Sequence, residues 1–284
     1  MAVKLKSQTY GKHSVRVSKV RRPRQAAPNE ELHEFVEASV NIELEGDFEA
    51  AYTEADNRSV IATDTCKNTV YAIAKNHPLD SLESFGVAIG EQFLETYPQV
   101  SRCRISLSGR IWQRLLDSPH CFSGCDNLKP TAEVVLRRDA QPTVSAGFEH
   151  LMIAKTTESG FTDFQEGGFR TLADTEDRIL ASEVSASWRY AGSSLDYTEC
   201  RGKVLAALLN RFTDHYSRSV QETLYKMAEA ALDVCGEATE ITLTMPNKHH
   251  LLVDLSPFDL ENENEVFCVT DEPFGYISAT IERG

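Results

Sequence analysis

Four short clusters and one lysine hold the residue types that could carry chemistry. Ser219-Val220-Gln221 opens a helical pattern. The first N–H groups of a helix have no partner inside it, and the helix dipole is positive there. Such an end can hold an anion or a ligand's acceptor atom, and Gln221 adds an amide that both donates and accepts. Thr63-Asp64 poses the same question at a second helix start; the structural alternative at both is a cap. Asn247-Lys248-His249-His250 lies between two strand patterns. Adjacent strand residues point to opposite faces, so the two histidines cannot serve one metal. His249 alone is a candidate general acid/base or proton relay, set against a purely structural histidine. His120-Cys121, with Cys125 four positions on, has zinc-compatible spacing. No second Cys pair or spaced His pair completes four ligands. Lys12 belongs to a basic arm: up to Arg24 there are eight Lys and Arg and no carboxylate. Apart from Lys12, the arm also reads as a strand edge guarded by cations. Neither a phosphate-binding Gly-x-x-x-x-Gly-Lys loop, a Gly-x-Gly-x-x-Gly fingerprint nor a Gly-x-Ser-x-Gly elbow is present.

These clusters need a scaffold. Ser14 to Val20 and Val36 to Leu44 read as strands, the second with apolar residues at period two, hence one dry and one wet face. Pro23 to Pro28 reads as the loop joining them. Helices are expected at about Thr65 to Lys75, with Thr63, Asp64 and Thr65 as capping candidates, and at Leu82 to Tyr97. The second carries an apolar stripe of Leu82, Phe85, Ile89 and Phe93, and Asp80 with Glu83 has capping-box spacing. Strands follow near Val100 to Trp112 and Thr131 to Arg138. The second half repeats this plan. Strands are expected at Thr143 to Thr156 and Glu183 to Tyr190. A helix at Glu199 to Tyr216 would turn Leu205, Leu208, Leu209 and Phe212 inward. Another from Ser219 would bury Val220, Leu224, Met227, Ala228, Ala231 and Cys235. Strands close the chain at Ile241 to Met245, Leu251 to Leu255 and Tyr276 to Ile281. The break falls near Asp139 to Pro142. The repeated order of strand pair, helix pair and strand pair predicts an α+β protein, its antiparallel sheets covered by helices on one face.

Composition narrows the function. The 284 residues are 41% hydrophobic and 25% charged, with a formal net charge of −14. So acidic a chain is a poor general nucleic-acid binder. An apolar run of the ~20 residues a membrane span needs is not present. Seven widely spread cysteines are not a disulfide framework and fit a reducing compartment. A soluble, cytoplasmic protein with neither nucleic acid nor membrane as partner is expected.

Six stretches in order resemble the urate oxidase (uricase) family. They are Tyr10-Gly11-Lys12 with Val15-Arg16; Asp56-Asn57 leading into Val60 to Tyr71; Ser159-Gly160-Phe161 with Phe164; Thr175 to Leu180; Ser219-Val220-Gln221 with Thr223 to Met227; and Pro246 to His249. The resemblance covers nearly the whole chain. It implies two tandem T-fold (tunnelling-fold) units, placed here at residues 1–139 and 140–284. It also implies a homotetramer around a tunnel, with each active site shared by two subunits.

The resemblance implies a role for each residue. Arg178 and Gln221 would grip urate along one side, supported by the Val220 N–H, and Phe161 would stack on the purine plane. Thr63 and Asp64, from the neighbouring subunit, would contact the opposite edge. Lys12 and Thr63 would form the proton-abstracting pair, His249 would relay protons, and Asn247 would hold dioxygen or water above the ring. The implied reaction oxidises urate with dioxygen to 5-hydroxyisourate and hydrogen peroxide, using no cofactor and no metal. The terminal Glu282-Arg283-Gly284 is not a Ser-Lys-Leu peroxisomal address, which suits a cytoplasmic protein. Several cysteines, notably Cys66 beside Thr63-Asp64, would make the enzyme sensitive to oxidation. The alternatives are a T-fold pterin or purine hydrolase or aldolase, with zinc at His120, Cys121 and Cys125, and a purine-binding module without turnover.

Overall fold

The computed structural model describes residues 3–22, 32–193 and 195–284. The loop expected at Pro23 to Pro28 therefore lies outside the described residues. The chain divides into two compact units, residues 1–147 with 189–200, and residues 148–188 with 201–284.

In the first unit, β1 (Tyr10–Arg21), β2 (Glu34–Gly46), β3 (Val100–Arg114) and β5 (Lys129–Arg137) pair antiparallel in that order, and the short β4 (Phe122–Cys125) pairs with β3. Period two decides the faces. Ala38, Val40, Ile42 and Leu44 of β2 are buried, as are Cys103, Ile105 and Leu107 of β3. Against them lie α2 (Thr63–Asn76) and α3 (Leu82–Thr96); α1 (Glu49–Thr53) is a single turn. The expected α3 stripe of Leu82, Phe85, Ile89 and Phe93 is buried. Gly90 lets α3 settle onto the sheet, since a Cβ there would come within 2.1 Å of Leu136 Cδ1. The capping box expected from Asp80 and Glu83 does not form. Ser81 is the cap, its hydroxyl accepting the Ser84 N–H at 3.0 Å, and Glu83 is wholly buried.

The basic arm is largely structural. Arg16 pairs with Glu37, and Arg21 with Glu34. Lys19 Nζ donates to the carbonyls of Ala74 (2.7 Å) and His77 (2.5 Å). That places a cation at the C-terminus of α2, the negative end of its dipole.

In the second unit, β8 (Ala238–Thr244) pairs with β11 (Ser278–Glu282), and β9 (Asn247–Leu252) with β10 (Phe267–Gly275); β9 also pairs with Ala181 and Ser182 of β7 (Leu180–Tyr190). Strand β6 (Ala140–Lys155) enters this unit from residue 148. Helix α5 (Val220–Val234) buries the expected Val220, Leu224, Met227, Ala228 and Ala231, and Cys235 is buried at its C-cap. In α4 (Tyr197–Thr213) the buried stripe runs through Val204, Ala207, Leu208 and Phe212, while Leu205 and Leu209 are half-buried. The stripe is rotated by about one residue from the leucine pattern, with Val204 and Ala207 buried in place of Leu205 and Leu209. The strand expected at Leu251 to Leu255 instead starts at Asn247 and ends at Leu252.

Candidate active site

A cavity of about 310 Å³ opens in the second unit. Four segments form it: the Phe161–Thr175 loop running on to Ile179, the start of α5, β9 from Asn247 to Leu251, and Gly275 with Ile277. That volume suits a single small planar ligand.

The start of α5 is built as an anion site. Ser219 is the N-cap, and its hydroxyl accepts the Glu222 N–H at 3.1 Å. The N–H groups of Val220 and Gln221 stand in the first turn, where a helix offers no acceptor. Only the Ser219 half of a capping box forms, and the Glu222 side chain turns to Arg218. Its carboxylate accepts the Arg218 N–H at 2.9 Å and the Arg218 guanidinium, not the Ser219 N–H. Arg218 first, then Lys226, holds that carboxyl down at about 2.

Hydroxyls buried behind the turn fix it in place. Thr223 Oγ1 donates to Ser217 Oγ (2.7 Å), and Ser217 Oγ donates to Ser219 O (3.1 Å). His215 Nε2 lies 3.2 Å from Thr223 Oγ1, and its Nδ1 lies 2.5 Å from Arg211 O. Ser217 also ties this turn to the next segment, because its carbonyl accepts the Gly160 N–H at 2.8 Å. Only glycine fits at position 160, where a Cβ would lie 2.3 Å from the Tyr216 hydroxyl. Sequence reasoning missed His215, Ser217 and Thr223. Their signal was faint: three short polar residues just ahead of, and inside, an apolar helix face.

Two cations line this cavity, Arg178 and Lys248, and Lys248 is paired with Asp271 at 3.5 Å. The Arg178 backbone N–H donates to Ser159 O at 2.9 Å, and the Arg178 guanidinium carbon lies 5.4 Å from the Phe161 ring centroid. Burial lowers its pKa, against a smaller upward pull from Tyr216. Its Nε is buried with no hydrogen-bond partner among the described residues. A desolvated cation with an unmade hydrogen bond favours an anionic acceptor.

Asn247 and His249 lie two apart on β9 and so share a face. Asn247 is buried, and its Nδ2 lies 3.4 Å from His249 Nδ1. His250 also lines the cavity, with Nδ1 3.3 Å from Lys248 O. The adjacent histidines thus have separate partners, as their strand setting requires.

The remaining expected residues, Lys12, Thr63 and Asp64, belong to the first unit. Lys12 pairs opposite Ile42, immediately before a bulge in which Ser14 adopts a left-handed conformation (φ 57°). Tyr10 ties this strand to the start of α2, its hydroxyl oxygen accepting the Ile61 N–H at 2.9 Å. The capping role considered for Thr63 and Asp64 is overturned. Ala62 occupies the N-cap, no side chain caps there, and Thr63 and Asp64 are exposed in the first helical turn. Bonds from Lys67 and Asn68, and the charge of Lys12, hold the Asp64 carboxyl below its usual range. The charge of Lys12 thus reaches Asp64, the neighbour of Thr63.

Two expectations fail on geometry. Cys121 and Cys125 flank an extended strand and are about 13 Å apart along it, too far to share a zinc ion. Cys66 is buried and its thiol is pushed up to about 11, chiefly by burial, so it is poorly placed to be oxidised. The exposed cysteines are Cys121 and Cys268.

Tandem α+β units, one of them holding a cavity lined by Phe161 and a desolvated Arg178, fit a small-molecule enzyme of the T-fold class. The uricase family profile matches residues 8–143 and again 144–278. The chain is 41% identical to a uricase of Arthrobacter globiformis over 274 residues, covering 96% of this chain and 88% of the relative. It is 36% identical to a uricase of Dictyostelium discoideum, covering 96% of each. The crystal structure of the Arthrobacter globiformis uricase superposes with a TM-score of 0.93 at 39% identity, over 100% of this chain and 96% of that one. The chain belongs to the uricase family and is an oxidoreductase.

Proposed function

We propose that this protein oxidises urate with dioxygen, giving 5-hydroxyisourate and hydrogen peroxide, without metal or organic cofactor. The observation that carries this is Arg178: a half-buried guanidinium whose Nε is buried and unpaired, near the Phe161 ring and in one cavity with the first turn of α5. Urate is a planar purine anion with carbonyl and ring-nitrogen acceptors along one edge. Arg178 and Gln221 grip that edge with the Val220 N–H, and Phe161 takes one face.

Dioxygen is a triplet and reacts poorly with closed-shell molecules, so many oxidases pass single electrons through a flavin or metal. Urate that has lost a further proton is electron-rich enough to be the donor itself. The protein's tasks are then to bind the anion, take a proton and hold dioxygen. Lys12 and Thr63 take the proton. Asn247 holds dioxygen, and later water, above the ring. His249, beside Asn247 on the same face of β9, relays protons. Two electrons pass from urate to dioxygen, two protons complete hydrogen peroxide, and water adds its hydroxyl to the oxidised ring.

Lys12, Thr63 and Asp64 act on the substrate held by a neighbouring subunit in a homotetramer. Exposed apolar side chains on the β9–β10 pair, such as Leu251 and Val269, 53% and 60% exposed, support assembly. The repeat divides at 139/140, where β6 begins. The protein works in the cytoplasm; no helix among the described residues is long and apolar enough to cross a membrane.

Oxygen uptake and loss of urate absorbance, measured with and without exhaustive chelation, test the reading. Equal turnover in both is expected. Absence of turnover, or its loss on chelation, overturns it. Urate binding without oxygen uptake would make the protein a binding module.

A further inference from the structure

The floor of the cavity is one layer of a deeper stack. Phe164 lies parallel to Phe161, centroids 4.6 Å apart and planes 8° from parallel. The guanidinium of Arg170 covers Phe164, its central carbon 4.0 Å from the ring centroid. Phe161 and Leu172 line the cavity; Phe164 and Arg170 do not. The order is therefore guanidinium, ring, ring, cavity.

Arg170 is held as firmly as a core residue. Glu166 takes one side of its guanidinium and Asp174 the other. Its Nη1 donates to Phe164 O (3.3 Å) and its Nε to Leu172 O (3.2 Å). The side chain is 18% exposed, although most of its loop is exposed. Two backbone bonds close the loop, Phe161 N–H to Thr175 O (2.7 Å) and Thr175 N–H to Phe161 O (3.0 Å). So many fixed contacts leave Arg170 one role: a flat plate that sets the plane of Phe164.

We infer that Arg170 and Phe164 are positioning residues that set the plane of the Phe161 ring on which the purine stacks. The inference rests on the proposed reaction and deepens it. An aromatic face recognises a planar ligand only when the two planes are nearly parallel. A phenylalanine in an otherwise exposed loop turns freely unless something holds its other face. Phe164 holds it, and the planar guanidinium holds Phe164. Two carboxylates neutralise that guanidinium, so its contribution is shape and not charge on the substrate. Lysine is no substitute, since an ammonium is not planar.

The test uses the full-length protein with Arg170→Gln, Arg170→Lys, Phe164→Leu and Phe164→Tyr. Urate turnover is measured in air and urate binding by anaerobic equilibrium dialysis. Arg170→Gln, Arg170→Lys and Phe164→Leu should each raise KM and weaken urate binding about 3- to 10-fold, with kcat changed less than about twofold. Phe164→Tyr, which keeps the ring, should behave as wild type. Four variants with wild-type KM and binding would overturn the inference. So would a lower melting temperature and kcat at unchanged KM, the pattern of a merely structural role. Wild-type protein that binds urate without turnover, with the same weakening in the variants, would sink the proposed reaction and keep the stack. Failure of the wild type to bind urate would overturn both.

Discussion

The residues assigned to binding and those assigned to proton transfer occupy unlike surroundings. In the second unit, Arg178 is half-buried beside an aromatic ring and a helix N-terminus, and hydroxyls buried under that helix brace the turn. In the first unit, Thr63 and Asp64 stand exposed in the opening turn of α2, with Lys12 half-buried on the strand beside them. The contrast follows from the two jobs. Gripping an anion needs desolvated donors fixed in advance, because a charged hydrogen bond is strong only out of water. Taking a proton needs a group that changes charge, and a side chain open to solvent does so at lower cost. On the proposed roles, the second unit supplies substrate affinity and the first lowers the barrier.

Substitutions can break this division. Lys12→Met should have the largest effect, lowering kcat about 10²- to 10⁴-fold, as loss of a general base does, with KM little changed. Steady-state oxygen uptake measures both. Arg178→Gln should come next, raising KM about 10- to 100-fold, the worth of charged hydrogen bonds. If each variant moved both parameters alike, the division would be wrong. Mixed tetramers of these two variants should regain part of the wild-type rate, because some sites would then combine an intact Arg178 with an intact Lys12.

A smaller effect comes from His215, behind the α5 turn. Burial lowers its pKa, so folding favours the neutral ring. The unfolded chain takes up the proton first, and this contribution is lost as pH falls below the ordinary histidine value of about 6.5. The gap in melting temperature between wild type and His215→Gln should therefore be wider at pH 8 than at pH 5. The smallest effect is expected from thiol alkylation of the native protein. It should label Cys121 and Cys268, spare Cys66 and Cys103, and leave turnover unchanged.

The same contrast explains what the sequence could reveal. Strongly periodic elements were legible: β2 through Val36 to Leu44, α3 through its stripe from Leu82 to Phe93, and α5 through Val220 to Ala231. Each buries one continuous face, and burial is what writes a period into a sequence. Strand β10 was missed because it is mostly exposed and carries Asp271-Glu272-Pro273, so nothing alternates. The start of β9 was read as a connection because Asn247, Lys248 and His249 are polar on both faces.

At the site, local chemistry was legible where a helix begins. Ser219 announces the cap before Val220 and Gln221, and the structure builds it. Thr63 looked like a cap by the same logic. Yet Ala62 takes that place, because the helix begins two residues earlier than its apolar period suggests. Arg178 carried no local signal. It is buried by the fold, and Phe161 beside it and Tyr216, which acts on its charge, lie 17 positions before it and 38 after it, so only the folded chain brings these together. The stack of Arg170, Phe164 and Phe161 was half visible: the two phenylalanines stood in a motif, and the arginine did not.

Urate binding to Lys12→Met without oxygen, set beside its turnover in air, tests the central claim most directly. The account predicts a dissociation constant within about threefold of wild type, with turnover lower by at least about a hundredfold. A variant that loses urate binding as steeply as it loses turnover would contradict it.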